Sequence, residues 1–247
     1  MSSRPHDRAA DAIRSLTFKR KYTRQAPGSV LVRMGGTVVL CTCCVEPSVP
    51  PFLEGTGKGW LSAEYGMLPG STNKRKQRDK AGKVDGRSVE IQRLIGRSLR
   101  AIVNLDKLGE RTLWLDCDVI DADGGTRTAS INGAFVALID ALVSLKGKIP
   151  PINEIVRDNV AAISVGLLDD VELLDLEYVE DKDAEVDMNL VMTGAGQFIE
   201  VQGAGEEATF SRSQLDRLLK LGKIGIDAVT AAQKKALGAS WPFKQAT

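Results

Sequence analysis

Between residues 112 and 145 the chain changes its hydrophobic period. Thr112-Leu113-Trp114-Leu115-Asp116-Cys117-Asp118-Val119-Ile120 reads as an apolar strand, whereas Ile131, Phe135, Leu138, Leu142 and Leu145 recur at steps of 4, 3, 4 and 3, the spacing of one helix face. Gly124-Gly125-Thr126-Arg127-Thr128 joins the two. Glycines let backbone N–H groups face outward, a helix start presents unpaired N–H donors and a positive dipole end, and Arg127 adds a planar fork suited to two phosphate oxygens. Together these make an anion site. The same letters also fit an ordinary glycine turn ahead of a Thr-capped helix with a solvated arginine.

Strands are predicted at about 29–34, 37–46 and 59–67, followed by a polar basic loop over 69–86 and a helix over 88–104 that lines up Ile91, Leu94, Ile95, Leu99, Ile102 and Val103. Pro150-Pro151 marks a turn or linker. Beyond it the order repeats, with strands at 160–167, 171–178, 186–192 and 197–202 and a helix over 211–236. Two halves, about 1–149 and 150–247, each of strands followed by helices, imply a single α+β domain with mixed sheets covered by helices.

His6 is the only histidine, in a terminal segment expected to be mobile, and this removes histidine-dependent triads and histidine-ligated metal sites. Chemistry must come from carboxylates, arginines, hydroxyls, backbone amides or an added metal, and an oxygen-rich site suits Mg²⁺. Cys41, Cys43, Cys44 and Cys117 fall in apolar runs without the spacing of a zinc knuckle, so they read as buried reduced thiols. No apolar leader and no run approaching a membrane span is present, so a cytoplasmic setting is expected.

The formal net charge is only +1, so an overall basic surface cannot argue for nucleic acid. Its distribution can. Residues 73–87 hold seven basic side chains (Lys74, Arg75, Lys76, Arg78, Lys80, Lys83, Arg87) against Asp79 and Asp85, while 170–187 carries nine acids against Lys182. The basic loop has no aromatic residue interleaved, which suits phosphates and not base stacking; it also fits a solubilising loop. Arg87 stands just before a predicted helix start and repeats the anion-site logic of Arg127. Asp181 and Asp187 are predicted to flank a turn between two strands. Asp187 enters the apolar run Met188-Asn189-Leu190-Val191-Met192, where a carboxylate needs a partner and a cation is the natural one. A merely solvated acidic loop is the alternative.

Asp116-Cys117-Asp118-Val119-Ile120-Asp121-Ala122-Asp123-Gly124-Gly125-Thr126-Arg127-Thr128-Ala129-Ser130-Ile131 resembles the bacterial ribonuclease PH family. So do Gly28-Ser29-Val30-Leu31-Val32, Gly59-Trp60-Leu61-Ser62-Ala63-Glu64-Tyr65-Gly66-Met67-Leu68-Pro69, Glu90-Ile91-Gln92-Arg93-Leu94-Ile95-Gly96-Arg97 and Asp187-Met188-Asn189-Leu190-Val191-Met192-Thr193, in order along the chain. The resemblance implies a duplicated β-rich unit like the second domain of ribosomal protein S5. It also implies a phosphorolytic 3′ exoribonuclease that trims tRNA precursors, releases nucleoside diphosphates and can run in reverse as a nucleotidyltransferase. Carried over residue by residue, it places phosphate contacts at Arg87, Gly125, Thr126 and Arg127, and a divalent metal (Mg²⁺ or Mn²⁺) at Asp181 and Asp187 beside the reacting phosphodiester. It places tRNA contacts at Arg75 and Arg78, with Lys74 and Lys76 able to assist. Gly70 departs from the pattern, standing where relatives often carry an arginine. The implied assembly is a homohexamer, a trimer of dimers.

Overall fold

The structure of the chain, a computed structural model, describes residues 4–78, 85–206 and 208–243; Asp79, Lys80 and Lys83 of the basic stretch lie outside them. In chain order the first half contains β1 (Leu16–Arg20), β2 (Gly28–Met34), β3 (Thr37–Glu46), β4 (Trp60–Met67), α1 (Gly86–Ile102), the single turn α2 (Leu105–Leu108), β5 (Thr112–Asp121) and α3 (Thr126–Ser144). After α4 (Ile152–Ile155) come β6 (Val160–Leu168), β7 (Val171–Leu174), α5 (Tyr178–Asp183), β8 (Val186–Thr193), β9 (Phe198–Gly205) and α6 (Arg212–Leu237). The first five strands form one sheet in the order β1-β2-β3-β5-β4, and the last four a second in the order β7-β6-β8-β9.

The α+β expectation holds, but only the first sheet is mixed. Its β4 and β5 run parallel, joined through α1 as a parallel pair requires, whereas every pairing in the second sheet is antiparallel. Two elements depart from the sequence reading. β1 was not expected, and the strand expected over 171–178 stops at Leu174 as β7, with Asp181 on the short helix α5 instead of in a turn.

α3 is the centre of the molecule. It packs on β2 and β3 of the first sheet and on β6 of the second. The periodic stripe of Ile131, Phe135, Leu138 and Leu142 predicts one buried face, yet every side chain from 128 to 142 is buried. The intervening positions explain this, because Ala129, Ala134, Val136, Ala137, Ile139 and Ala141 are apolar too, and a helix apolar all round belongs inside. Its one charged side chain in that stretch, Asp140, is met by Arg20 of β1, whose Nε donates to both carboxylate oxygens at 3.0 and 2.9 Å. A single buried cluster runs from β2 through α3 into β6 and β8 and makes the two halves share one core. Among the described residues no helix is long and apolar enough to cross a membrane. Cys41, Cys43 and Cys117 are buried and Cys44 is half-buried, and all four are free.

β6 pairs with β7 only from Val165 to Leu168, so the start of β6 has an edge facing α3. Asn132 covers it: its Nδ2 donates to the Ala162 carbonyl at 2.8 Å and its Oδ1 accepts from the Ala162 N–H at 2.7 Å. Asn132→Leu keeps the volume and removes both bonds, leaving two buried backbone groups unpaired. It is expected to lower the unfolding free energy by about 2–4 kcal/mol, read from urea denaturation midpoints.

Candidate active site

The loop from β5 into α3 departs from ordinary helix entry. Gly124 and Gly125 both lie in the left-handed region, at φ 73° and 63°. A Cβ at Gly124 would sit 2.7–2.9 Å from the backbone of Leu176, Glu177 and Tyr178, so glycine is required both by conformation and by the close approach of the chain leading into α5. Gly125 is the N-cap and contributes no side-chain cap. This removes the Thr-capped alternative, since Thr126 is already inside the helix and the Thr128 hydroxyl donates back to the Gly125 carbonyl at 2.8 Å. Among the described residues no side chain caps the amides of the first turn, and they carry the positive end of the dipole.

Thr126 is buried at this helix start, with its Oγ1 2.9 Å from the hydroxyl of Tyr65 on β4. The next residue, Arg127, is half-buried and held from both halves of the chain. Its Nη1 donates to Gln202 of β9 at 2.7 Å and to Glu90 of α1 at 3.3 Å. Arg87 is exposed on the first turn of α1, whose N-cap Asp85 accepts from the Arg87 N–H at 3.4 Å. Arg87, Gly125, Thr126 and Asp181 line one cleft of about 580 Å³, with Tyr178 and Lys74 at its walls. Five of the residues singled out from sequence, Lys74, Arg87, Gly125, Thr126 and Asp181, drawn from three separate stretches of the chain, therefore share one cavity.

Asp187 begins β8, opposite Gly166 of β6 and Ala204 of β9. Burial first, and the neighbouring charge of Asp187 second, push the Asp181 carboxyl above its ordinary range, while Arg87 and Arg127 pull it down. Two coupled carboxylates form a donor set that fits Mg²⁺, which takes one or two carboxylates and completes its shell with water and phosphate oxygens. Among the described residues no three His, Cys, Asp or Glu side chains gather as a metal-binding group.

The basic loop divides. Lys74 faces the cleft, Arg75 and Arg78 are exposed, and Lys76 pairs with Asp85 at 2.9 Å. At Gly70 a Cβ would meet nothing within 4 Å, so the missing arginine has no steric cause. The N-terminal segment is held in place, contrary to expectation. Arg4 and Arg8 on either side of His6 reach Glu180 at 2.6 and 2.8 Å, and Arg14, buried, pairs with Asp175 at 2.7 Å. Sequence reasoning missed Tyr65, Gln202, Arg14 and Asp175. Each acts through a contact more than sixty residues distant in the chain, for which no local spacing exists.

Paired sheets around a buried helix that opens on an anion cradle place the chain among proteins built like exosome subunits. It resembles a chain of the Archaeoglobus fulgidus exosome with RNA bound to the active site (TM-score 0.77, 21% identity, 95% of this chain and 92% of that one). It also resembles rice Rrp46 (TM-score 0.76, 20% identity, 93% and 97% covered). More specifically, the chain belongs to the 3′ exoribonuclease family, whose domain 1 matches residues 12–144 and domain 2 residues 158–225. It is 56% identical over 241 residues to the ribonuclease PH of Rhodopirellula baltica, covering 96% of both chains. To that of Listeria monocytogenes it is 54% identical over 233 residues, covering 94% of both.

The raised Asp181 has a consequence for stability. A carboxyl whose folded pKa exceeds its unfolded value favours folding at low pH and opposes it as pH rises through the interval between the two. Asp181→Asn removes that opposition. The variant is expected to melt above the parent at neutral pH, and the gap should close at about pH 3, where the parent carboxyl is protonated in both states. Thermal melts at the two pH values check this.

Proposed function

We propose that the chain is a phosphate-dependent 3′-to-5′ exoribonuclease that trims tRNA precursors, releasing nucleoside diphosphates, and that in reverse it extends RNA 3′ ends from nucleoside diphosphates. The observation that carries this reading is the cleft itself, where an uncapped helix start and Arg87 face Asp181 across one cavity. The two halves, 1–149 and 150–247, work as one catalytic unit around their common core.

Inorganic phosphate sits on the amides of Gly125 to Arg127, the Thr126 hydroxyl and the guanidinium groups of Arg87 and Arg127. One of its oxygens attacks the 3′-terminal phosphodiester. The bond to the penultimate 3′ oxygen breaks, that oxygen takes a proton, and the terminal nucleotide leaves as a diphosphate. No protein nucleophile is needed, in keeping with a chain whose only histidine is His6. Phosphate and phosphodiester are both anions, so the arginines and amides must first offset their repulsion, then stabilise the in-line transition state. Glu90 and Gln202 fix the Arg127 fork before substrate arrives. Mg²⁺ or Mn²⁺ held by Asp181 and Asp187 would supply further positive charge at the reacting phosphate groups.

Arg75 and Arg78, exposed beyond the cleft, grip the tRNA body, while Lys74 works at the cleft mouth. Lys76 holds Asp85 and so keeps the loop against the start of α1. The working form is a homohexamer, a trimer of dimers, in the cytoplasm, where the four free cysteines stay reduced.

A 3′-labelled tRNA precursor incubated with and without phosphate tests the reaction. Label should appear as nucleoside diphosphate only with phosphate; monophosphate released without it would instead identify a hydrolase. Arg127→Ala is expected to lower the maximal rate by about 10²–10³ and to raise the phosphate concentration for half-maximal rate, because one fork serves ground state and transition state. A phosphate titration of the rate measures both.

Replacing Arg75 and Arg78 by alanine should lower the salt slope of tRNA binding by about 1.5 units, at 0.7–0.9 per phosphate contact, and leave turnover of a short oligonucleotide unchanged. Binding across a salt series, beside oligonucleotide turnover, decides it.

A further inference from the structure

We propose that Arg14, together with Thr37, is a positioning device for phosphate, fixing the orientation of the glycine cradle and tying it to the helix that carries Asp181. This rests on the reading of the cleft as a phosphate site. Arg14 lies just before β1 and is 7% exposed. Its backbone N–H and its Nε both donate to Asp175 Oδ2, at 2.7 and 3.0 Å, and Nη2 donates to Oδ1 at 2.7 Å. The other edge of the guanidinium turns to the loop: Nη1 donates to the Asp123 carbonyl and Nη2 reaches the Gly124 carbonyl at 3.5 Å. Thr37 holds the same two residues, its hydroxyl donating to the Gly124 carbonyl at 2.6 Å and accepting from the Asp123 N–H at 2.9 Å.

The consequence follows from the planarity of the peptide. In a trans peptide the carbonyl and the next N–H point in opposite directions. With the Asp123 and Gly124 carbonyls drawn back toward Arg14 and Thr37, the N–H groups of Gly124 and Gly125 are turned away from them, and these two glycines line the cleft. Successive amides turned the same way make an anion nest. The same guanidinium fixes the other wall. Asp175 is fully buried, in the left-handed region at φ 57°, and α5 begins two residues beyond it with the N-cap Glu177. One planar fork thus sets both the amides that meet phosphate and the entry of the helix that bears Asp181. A lysine could keep the charge at Asp175 but not reach three acceptors in a plane.

A merely structural clasp would look similar in stability terms, and the molecule offers a control. Arg20 and Asp140 form another ion pair between β1 and α3, about 20 Å along that helix from the cradle. The test compares Arg14→Lys, Thr37→Val and Arg20→Lys with the parent. It reads kcat and the phosphate concentration for half-maximal phosphorolysis of a 3′-labelled RNA, and melting temperature with and without inorganic phosphate. Arg14→Lys and Thr37→Val are expected to raise the half-saturating phosphate concentration about tenfold, the scale of one misplaced hydrogen-bond donor. They should also lose most of the phosphate-induced rise in melting temperature. Arg20→Lys should melt lower yet keep the parent's phosphate dependence. Unchanged phosphate dependence in both cradle variants, or an equal rise in Arg20→Lys, would overturn the inference. If Arg14→Lys does not fold, Thr37→Val decides alone, since it leaves the Arg14–Asp175 pair in place. A parent that turns over RNA without phosphate would sink the functional reading instead, and phosphate-induced stabilisation of parent against variants would still judge the cradle.

Discussion

The free amides at the start of α3 are the constraint on which the rest of the molecule turns. The other two long helices are capped by side chains, α1 by Asp85 and α6 by Ser211, and even the short α5 carries a reciprocal capping box between Glu177 and Glu180. Among the described residues α3 is the one helix longer than a single turn that lacks a side-chain cap, and its N-cap is Gly125. Packed between two sheets, it presents the positive end of its dipole at that start. Its orphan donors need an acceptor, and a bound anion is the acceptor that a helix dipole favours. The fold therefore aims one electropositive point into the cleft, and Arg87 and Arg127 reinforce it.

Charge segregation completes the site. Three of the nine acids over 170–187 are paired from the N-terminal segment, where Arg4 and Arg8 meet Glu180, Arg8 meets Glu177 and Arg14 meets Asp175. Among the described residues no lysine or arginine forms an ion pair with Asp181 or Asp187. Those two carboxylates are held close enough to raise one of them, and such a pair costs stability unless a cation relieves it. An acidic run that reads as a solvated loop is thus in part a structural ion-pair network, and Asp181 and Asp187 stand among the carboxylates outside it.

Periodicity made the large elements legible. The stripe on α1, the apolar runs of β3 and β5 and the change of period at Gly124-Gly125 all appear in the structure at nearly the expected residues. What escaped has a physical pattern. β1 is five residues long and ends in lysine and arginine, and it is held by Leu16 and Phe18 packing on the core and by Arg20 pairing with Asp140. α5 is six residues of mostly acidic and β-branched sequence, stabilised by its capping box and by Arg4. The full burial of α3 depends on a second sheet that local spacing cannot report. Arg87, Thr126 and Asp181, which line the cleft, were singled out from charge type and helix starts; so were Arg127 and Asp187, which are not among its lining residues. Their supports Arg14, Tyr65 and Gln202 were not, because each works across the fold.

The central claim is that the backbone amides at the start of α3 bind phosphate. Glycine-selective ¹⁵N labelling reads them directly, since Gly124 and Gly125 then stand out in a transverse-relaxation-optimised spectrum titrated with inorganic phosphate. The account predicts that these two resonances move the most, saturably, while distant Gly55 and Gly147 stay still. Resonances of Gly124 and Gly125 that remain fixed at phosphate concentrations saturating turnover would contradict it.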